Sequence, residues 1–97
     1  MRRSWRVAGR LVPPTARLHS RAVLLRRGAR MAWHSTGARE EVLIAVAGAV
    51  LVERRSSDGR VRRLPLRAGE ALFLPRQTAH QVRNAGARAA RYIYVTG

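Results

Sequence analysis

From residue 22 onward, no stretch of the chain holds a 3.6-residue apolar period for ten residues; short apolar runs are instead separated by turn signals. A chain that cannot lay down an amphipathic helix has to bury its apolar side chains on strands, so the pattern predicts an all-β domain. Strands are expected over 22–26, 30–34, 41–47, 49–55, 60–66, 71–74, 80–84 and 91–96, with breaks at Arg27-Gly28, Gly37, Asp58-Gly59, Ala68-Gly69, Pro75 and Ala85-Gly86. Asp58-Gly59 lies between two alternating runs. It predicts a tight primed hairpin turn in which both central residues take positive φ. Many short strands at this spacing, without helices, mean a sandwich or a small barrel.

The 97 residues allow one domain with one modest core, which a partner subunit would help to complete. There is no cysteine, so any metal has to be held by nitrogen and oxygen. The formal charge is +15 and all twenty basic residues are Arg. Such a field attracts anions, and the Arg fork matches carboxylates and phosphates; a uniform Arg bias also arises from GC-rich coding. No apolar run approaches the roughly 20 residues that span a bilayer, so no membrane segment is expected.

Residues 1–20 carry five Arg and no acid, and the first carboxylate is Glu40. This resembles an organelle transit peptide, but Pro13-Pro14 would break an amphipathic helix there and no seven-residue apolar stretch offers a secretory signal. The expectation is a flexible Arg-rich arm over 1–20, a single domain over 21–97 and a cytoplasmic location, with organelle import as the alternative. His19 is expected to be a solvated bystander.

Strand alternation assigns faces. His34 and Thr36 share one face, about 6–7 Å apart at roughly 3.3 Å per residue. Glu41, Leu43 and Ala45 share a face, as do His80, Val82 and Asn84. His34, Glu41 and His80 are therefore polar groups at the mouth of apolar faces, costly to bury unless paired or bound to a metal. The structural alternatives are hydrogen-bonded barrel histidines and a Glu41 paired with one of the arginines. Glu40 is the register alternative for the acid. Trp33, Phe73, Tyr92 and Tyr94 are expected in core or rim packing, Tyr92 and Tyr94 on a face that lines the cavity or a dimer seam. Arg76 and Gln77 precede His80 at the mouth, within reach of a ligand. Arg54, Arg55, Arg60, Arg62 and Arg63 read as a solvated hairpin arm, or as an anion or nucleic-acid patch.

On these residues the chain resembles the cupins, small double-stranded β-helix (jelly-roll) barrels. The first motif is matched by Gly28, His34 after five residues, Thr36, Glu41 after four and Gly48 after six; the second by Gly69, Pro75 after five, His80 and Asn84 after three. Thr36 stands where the family usually has its second histidine and Gln77 where it usually has a glycine. The resemblance implies metal ligands at His34, Glu41 and His80, and framework roles for Gly28, Gly48, Gly69, Pro75 and Asn84. Two imidazoles and a carboxylate suit Fe(II), and also hold Zn(II), Mn(II) or Ni(II), with open positions for water or a small molecule. Thr36, Gln77, Tyr92 and Tyr94 are the candidate water or substrate contacts. The resemblance implies either a metal-dependent enzyme of dioxygenase or isomerase type or a non-catalytic binding module; no catalytic residue is assigned. A homodimer is expected, because sheet edges invite partners. A nucleic-acid binder is the third reading, disfavoured because no face alternates aromatic and basic residues.

Overall fold

The computed structural model describes residues 17–97. Eight strands follow one another without a helix: β1 (His19–Leu25), β2 (Arg30–Ser35), β3 (Glu41–Ala47), β4 (Ala49–Arg55), β5 (Val61–Arg67), β6 (Ala71–Leu74), β7 (Ala79–Arg83) and β8 (Ala90–Thr96). They form two four-stranded antiparallel sheets, in the orders β1-β8-β3-β6 and β2-β7-β4-β5. Chain neighbours thus mostly sit in opposite sheets, which is the jelly-roll arrangement.

The strand reading holds for all eight elements. β1 is the largest boundary difference: it begins at His19, so the last two residues of the expected arm are already strand, paired with Thr96 and Val95. The arm's residues 1–16 lie outside the described residues.

The two sheets bury a single core of Leu25, Leu43, Ala45, Val50, Val52, Leu66, Leu74, Val82, Ala90 and Tyr92. Alternation explains the membership. In β3 the side chains of Glu41, Leu43 and Ala45 are buried while Val42 and Ile44 are only half-buried. The same rule corrects one expectation. Leu72 and Leu74 take the inward positions of β6, so Phe73 faces outward and is 51% exposed rather than packed in the core. Trp33 is also exposed, with the Arg55 guanidinium 5.7 Å over its ring.

The hairpin between β4 and β5 also departs from expectation. Only Gly59 takes positive φ, at 82°, and Asp58 does not. The amide of Ser56 donates to Arg60 O (2.7 Å) and that of Gly59 to Ser56 O (2.9 Å), giving a three-residue loop with glycine at its left-handed position. The Asp58 carboxylate instead accepts from the Arg60 amide at 3.0 Å. One more glycine is required by its surroundings. Gly48, which turns β3 into β4, has φ 69° and lies so close to the segment leading into β8 that a Cβ would sit 2.9 Å from Ala89 O.

Asn84 ties the opposite end together. Its Nδ2 donates to Leu25 O (2.9 Å) and Arg88 O (2.7 Å), and its Oδ1 accepts from the Gly86 amide (3.0 Å). This buried amide closes β1 against the loop before β8.

Candidate metal centre

His34 and His80 are direct cross-strand partners in the β2–β7 ladder, and Glu41 opens β3 in the facing sheet. One nitrogen from each imidazole and one carboxylate oxygen all lie within 4.8 Å of one another. The two rings are 4.3 Å apart, tilted by 59°. Glu40, the register alternative, is exposed outside the strand.

Each ring is aimed by its own backbone. His34 Nδ1 lies 2.8 Å from Ala32 O, and His80 Nδ1 lies 3.0 Å from Thr78 O. A carbonyl can only accept, so each Nδ1 carries the proton and each Nε2 presents a lone pair. His80 Nε2 is 3.2 Å from Glu41 Oε2, yet the contact is not aligned as a hydrogen bond, and this wholly buried nitrogen has no hydrogen-bond partner. Two lone-pair donors facing each other need a cation between them, either a proton on His80 or a metal ion. Among the described residues no arginine pairs with Glu41.

The proton reading shows in the electrostatics. Burial is the largest influence on His80 and disfavours its charged form. The Glu41 carboxylate and the Thr78 carbonyl together outweigh it, so His80 titrates above its ordinary value. Tyr92 goes the same way for a different reason. Burial first, then the charges of Glu41 and Tyr94, hold its phenol well above the usual tyrosine range, so it keeps its proton.

These groups surround a cavity of about 170 Å³ whose remaining walls are Met31, Leu43, Val82, Tyr92 and Tyr94. Met31 and His34 are three residues apart and cannot share a face on a regular strand. The β2–β7 register shifts between them, and this bulge lets both line the cavity, Met31 half-buried and His34 at its exposed rim. Tyr92 and Tyr94 line the cavity together.

Thr36 and Gln77 are placed elsewhere. Thr36 lies just past β2 and is not among the cavity-lining residues. Its hydroxyl donates to Pro75 O at 2.7 Å and accepts from the Thr78 amide at 3.0 Å, which clamps the 75–78 loop to the end of β2. The Gln77 amide adds a bond to Gly37 O at 2.8 Å. Gln77 has φ 55°, a conformation that glycine adopts without strain. Its side chain lines a groove beyond the mouth, with Arg76.

The sequence reading missed a second buried carboxylate. Glu53 of β4 faces outward from the core, opposite Gln81 and Arg63. It accepts from Gln81 Nε2 at 2.7 Å and lies 3.1 Å from Arg63 Nε and 3.0 Å from Arg83 Nε. The signal was available: Val50 and Val52 set the parity of β4, which puts Glu53 and Arg54 on opposite faces.

A family model described as "Cupin domain" matches residues 22–96. No curated protein matches the chain. Among solved structures, the chain is similar to recombinant oxalate oxidase in complex with glycolate (22% identity, TM-score 0.77, 81% of this chain and 41% of that one). It is also similar to TT1209 from Thermus thermophilus (25%, 0.79, 91% and 78%) and to Drosophila melanogaster CENP-C bound to CAL1 (15%, 0.76, 89% and 68%). It spans less than half the length of the oxalate oxidase it resembles.

Proposed function

The chain belongs to the cupin domain family, and from that premise we propose that it binds one divalent metal ion and a small molecule inside its barrel. His34 and His80 through Nε2, and Glu41 through its carboxylate, would hold the ion. The observation that carries this reading is the wholly buried His80 Nε2, which among the described residues lacks a hydrogen-bond partner and lies 3.2 Å from a carboxylate that no described arginine pairs with. Both imidazoles are already oriented by backbone carbonyls on their other nitrogen, the support that metal-bound histidines use. Fe, Zn, Mn and Ni all suit this donor set.

The ion, when bound, supplies Lewis acidity or oxygen activation. The chain's own residues do the rest. Tyr92 offers a phenol that stays protonated, and Met31, Leu43 and Val82 give the cavity dry walls. The cavity is smaller than the roughly 300–1,000 Å³ of typical ligand pockets, which supports a small ligand. The second reading is a non-catalytic module. It is favoured by the commitment of the Thr36 hydroxyl to the 75–78 loop, which leaves three protein ligands, and by likeness to CENP-C, a structure bound to another protein.

Elemental analysis of freshly purified protein beside its His34→Ala, Glu41→Ala and His80→Ala variants tests the metal site. Stoichiometric metal in the parent and none in the variants is the expected result. Equal content in all four would overturn it. We also read the protein as a homodimer. The outward face of the β1-β8-β3-β6 sheet carries Val42, Ile44, Phe73, Ile93 and Val95, all apolar, and Phe73 is half exposed. Light scattering should give twice the chain mass, and Phe73→Asp should reduce it to one.

A further inference from the structure

We propose that the groove beside the metal centre binds the carboxylate of a small organic acid, with Arg54 as its anchor; the metal end of this proposal rests on the reading above. The β4–β7 register sets Arg54 directly opposite His80, and the β2–β7 register sets His80 opposite His34. Cross-strand partners point to one side of a sheet. That side is inward, because Val52 and Val82, the next pair of the same parity along this ladder, are buried in the core. His34, His80 and Arg54 therefore form one row at the barrel mouth.

Arg54 differs from most of the arginines on the neighbouring strands. Arg63 and Arg83 meet Glu53, Arg62 donates to Ser56 Oγ, Arg60 lies near Asp58 and Arg55 covers Trp33. Among the described residues, Arg54 Nε is buried without a hydrogen-bond partner; so is Arg83 Nε, but Arg83 has the Glu53 carboxylate 3.0 Å away and Arg54 has no ion pair. Arg54 is half-buried, and a buried donor nitrogen without a partner on a guanidinium that has no ion pair is placed to take an acceptor.

The groove into which Arg54 faces measures about 520 Å³, and among the described residues no carboxylate lines it. Arg55, Arg76, Ser56 and Thr78 add further donors, and Thr78 is two residues from His80. Its wall is fixed by the hydrogen bonds with Thr36 and Gly37 that hold the 75–78 loop. A planar guanidinium fork matches a carboxylate through two parallel bonds. His80 and His34 are the next members of the same cross-strand row.

Calorimetric titration of malonate, of its neutral diamide and of inorganic phosphate into metal-free and Zn(II)-loaded protein tests this. The parent should bind malonate in preference to both others. Arg54→Gln should weaken malonate by about tenfold to a hundredfold at unchanged thermal midpoint and zinc stoichiometry. Arg54→Lys, which keeps the charge without the fork, should recover part of the loss, and Arg91→Gln, which removes the same charge from the outer face at the other end, should bind as the parent does. Undiminished malonate affinity in Arg54→Gln, tighter binding of phosphate, or an equal loss in Arg91→Gln overturns the proposal. Malonate binding through Arg54 in a protein that takes up no zinc upholds the anchor while removing the metal reading. Loss of both removes both.

Discussion

Two glutamates are buried in this arginine-rich chain, and their surroundings are opposite. Glu53 accepts hydrogen bonds from Gln81 and Arg63 and has the Arg83 guanidinium 3.0 Å away, so its charge is matched by two arginines. Glu41 faces one histidine nitrogen that has no proton to give unless one is added, and no arginine pairs with it among the described residues. The difference separates a structural carboxylate from an available one. Burial alone does not mark a site; a buried carboxylate with no permanent cation paired to it does.

Exchanging the two acids for their amides gives the largest contrast. Glu41→Gln should lose metal affinity by more than about a hundredfold, beyond what the loss of an outer-sphere partner costs, while metal-free stability changes little. Glu53→Gln should keep one metal per chain but lower the thermal midpoint modestly, since the half-exposed Arg63 and Arg83 lose their acid and recover part of the loss by hydration. Parallel elemental analysis and thermal melts check both, and the same phenotype in the two variants would break the comparison.

Acid titration sharpens it. The hydrogen bond from Gln81, followed by the charges of Arg83 and Arg63, outweighs burial and holds Glu53 below the ordinary glutamate value of 4.5. A depressed folded-state value means that its stabilisation is complete above the unfolded pKa and is lost as pH falls through the folded one. Urea midpoints measured downward from about pH 5 should therefore drop in the parent and flatten in Glu53→Gln. Metal binding should weaken on the same descent but begin higher, because His80, raised above its ordinary value, takes a proton in the ion's place.

The smallest effect is expected at Thr36. Thr36→Val removes hydrogen bonds to Pro75 O and from the Thr78 amide, at a cost of about 1–2 kcal/mol. Metal stoichiometry should stay at the parental value. A loss of metal in that variant would make Thr36 part of the centre after all, and blur the line drawn between the two acids.

The all-β class, the eight strands and the faces of Glu41, Leu43, Ala45, His80 and Val82 were legible in the chain because a strand's period of two is a local property. So was the spacing of glycines, proline, histidines and acid that resembles a cupin. What alternation cannot say is which strand lies beside which. Pairing Glu53 with Gln81, 28 residues on, or Arg54 with His80 depends on the order β2-β7-β4-β5, which closure of the barrel decides. The bulge that brings Met31 in beside His34, and the clamp that takes the Thr36 hydroxyl away to Pro75, come from the same source. Local chemistry set each side chain's face; contacts between distant segments set what each face meets, and the reactivity of the site lies in those contacts.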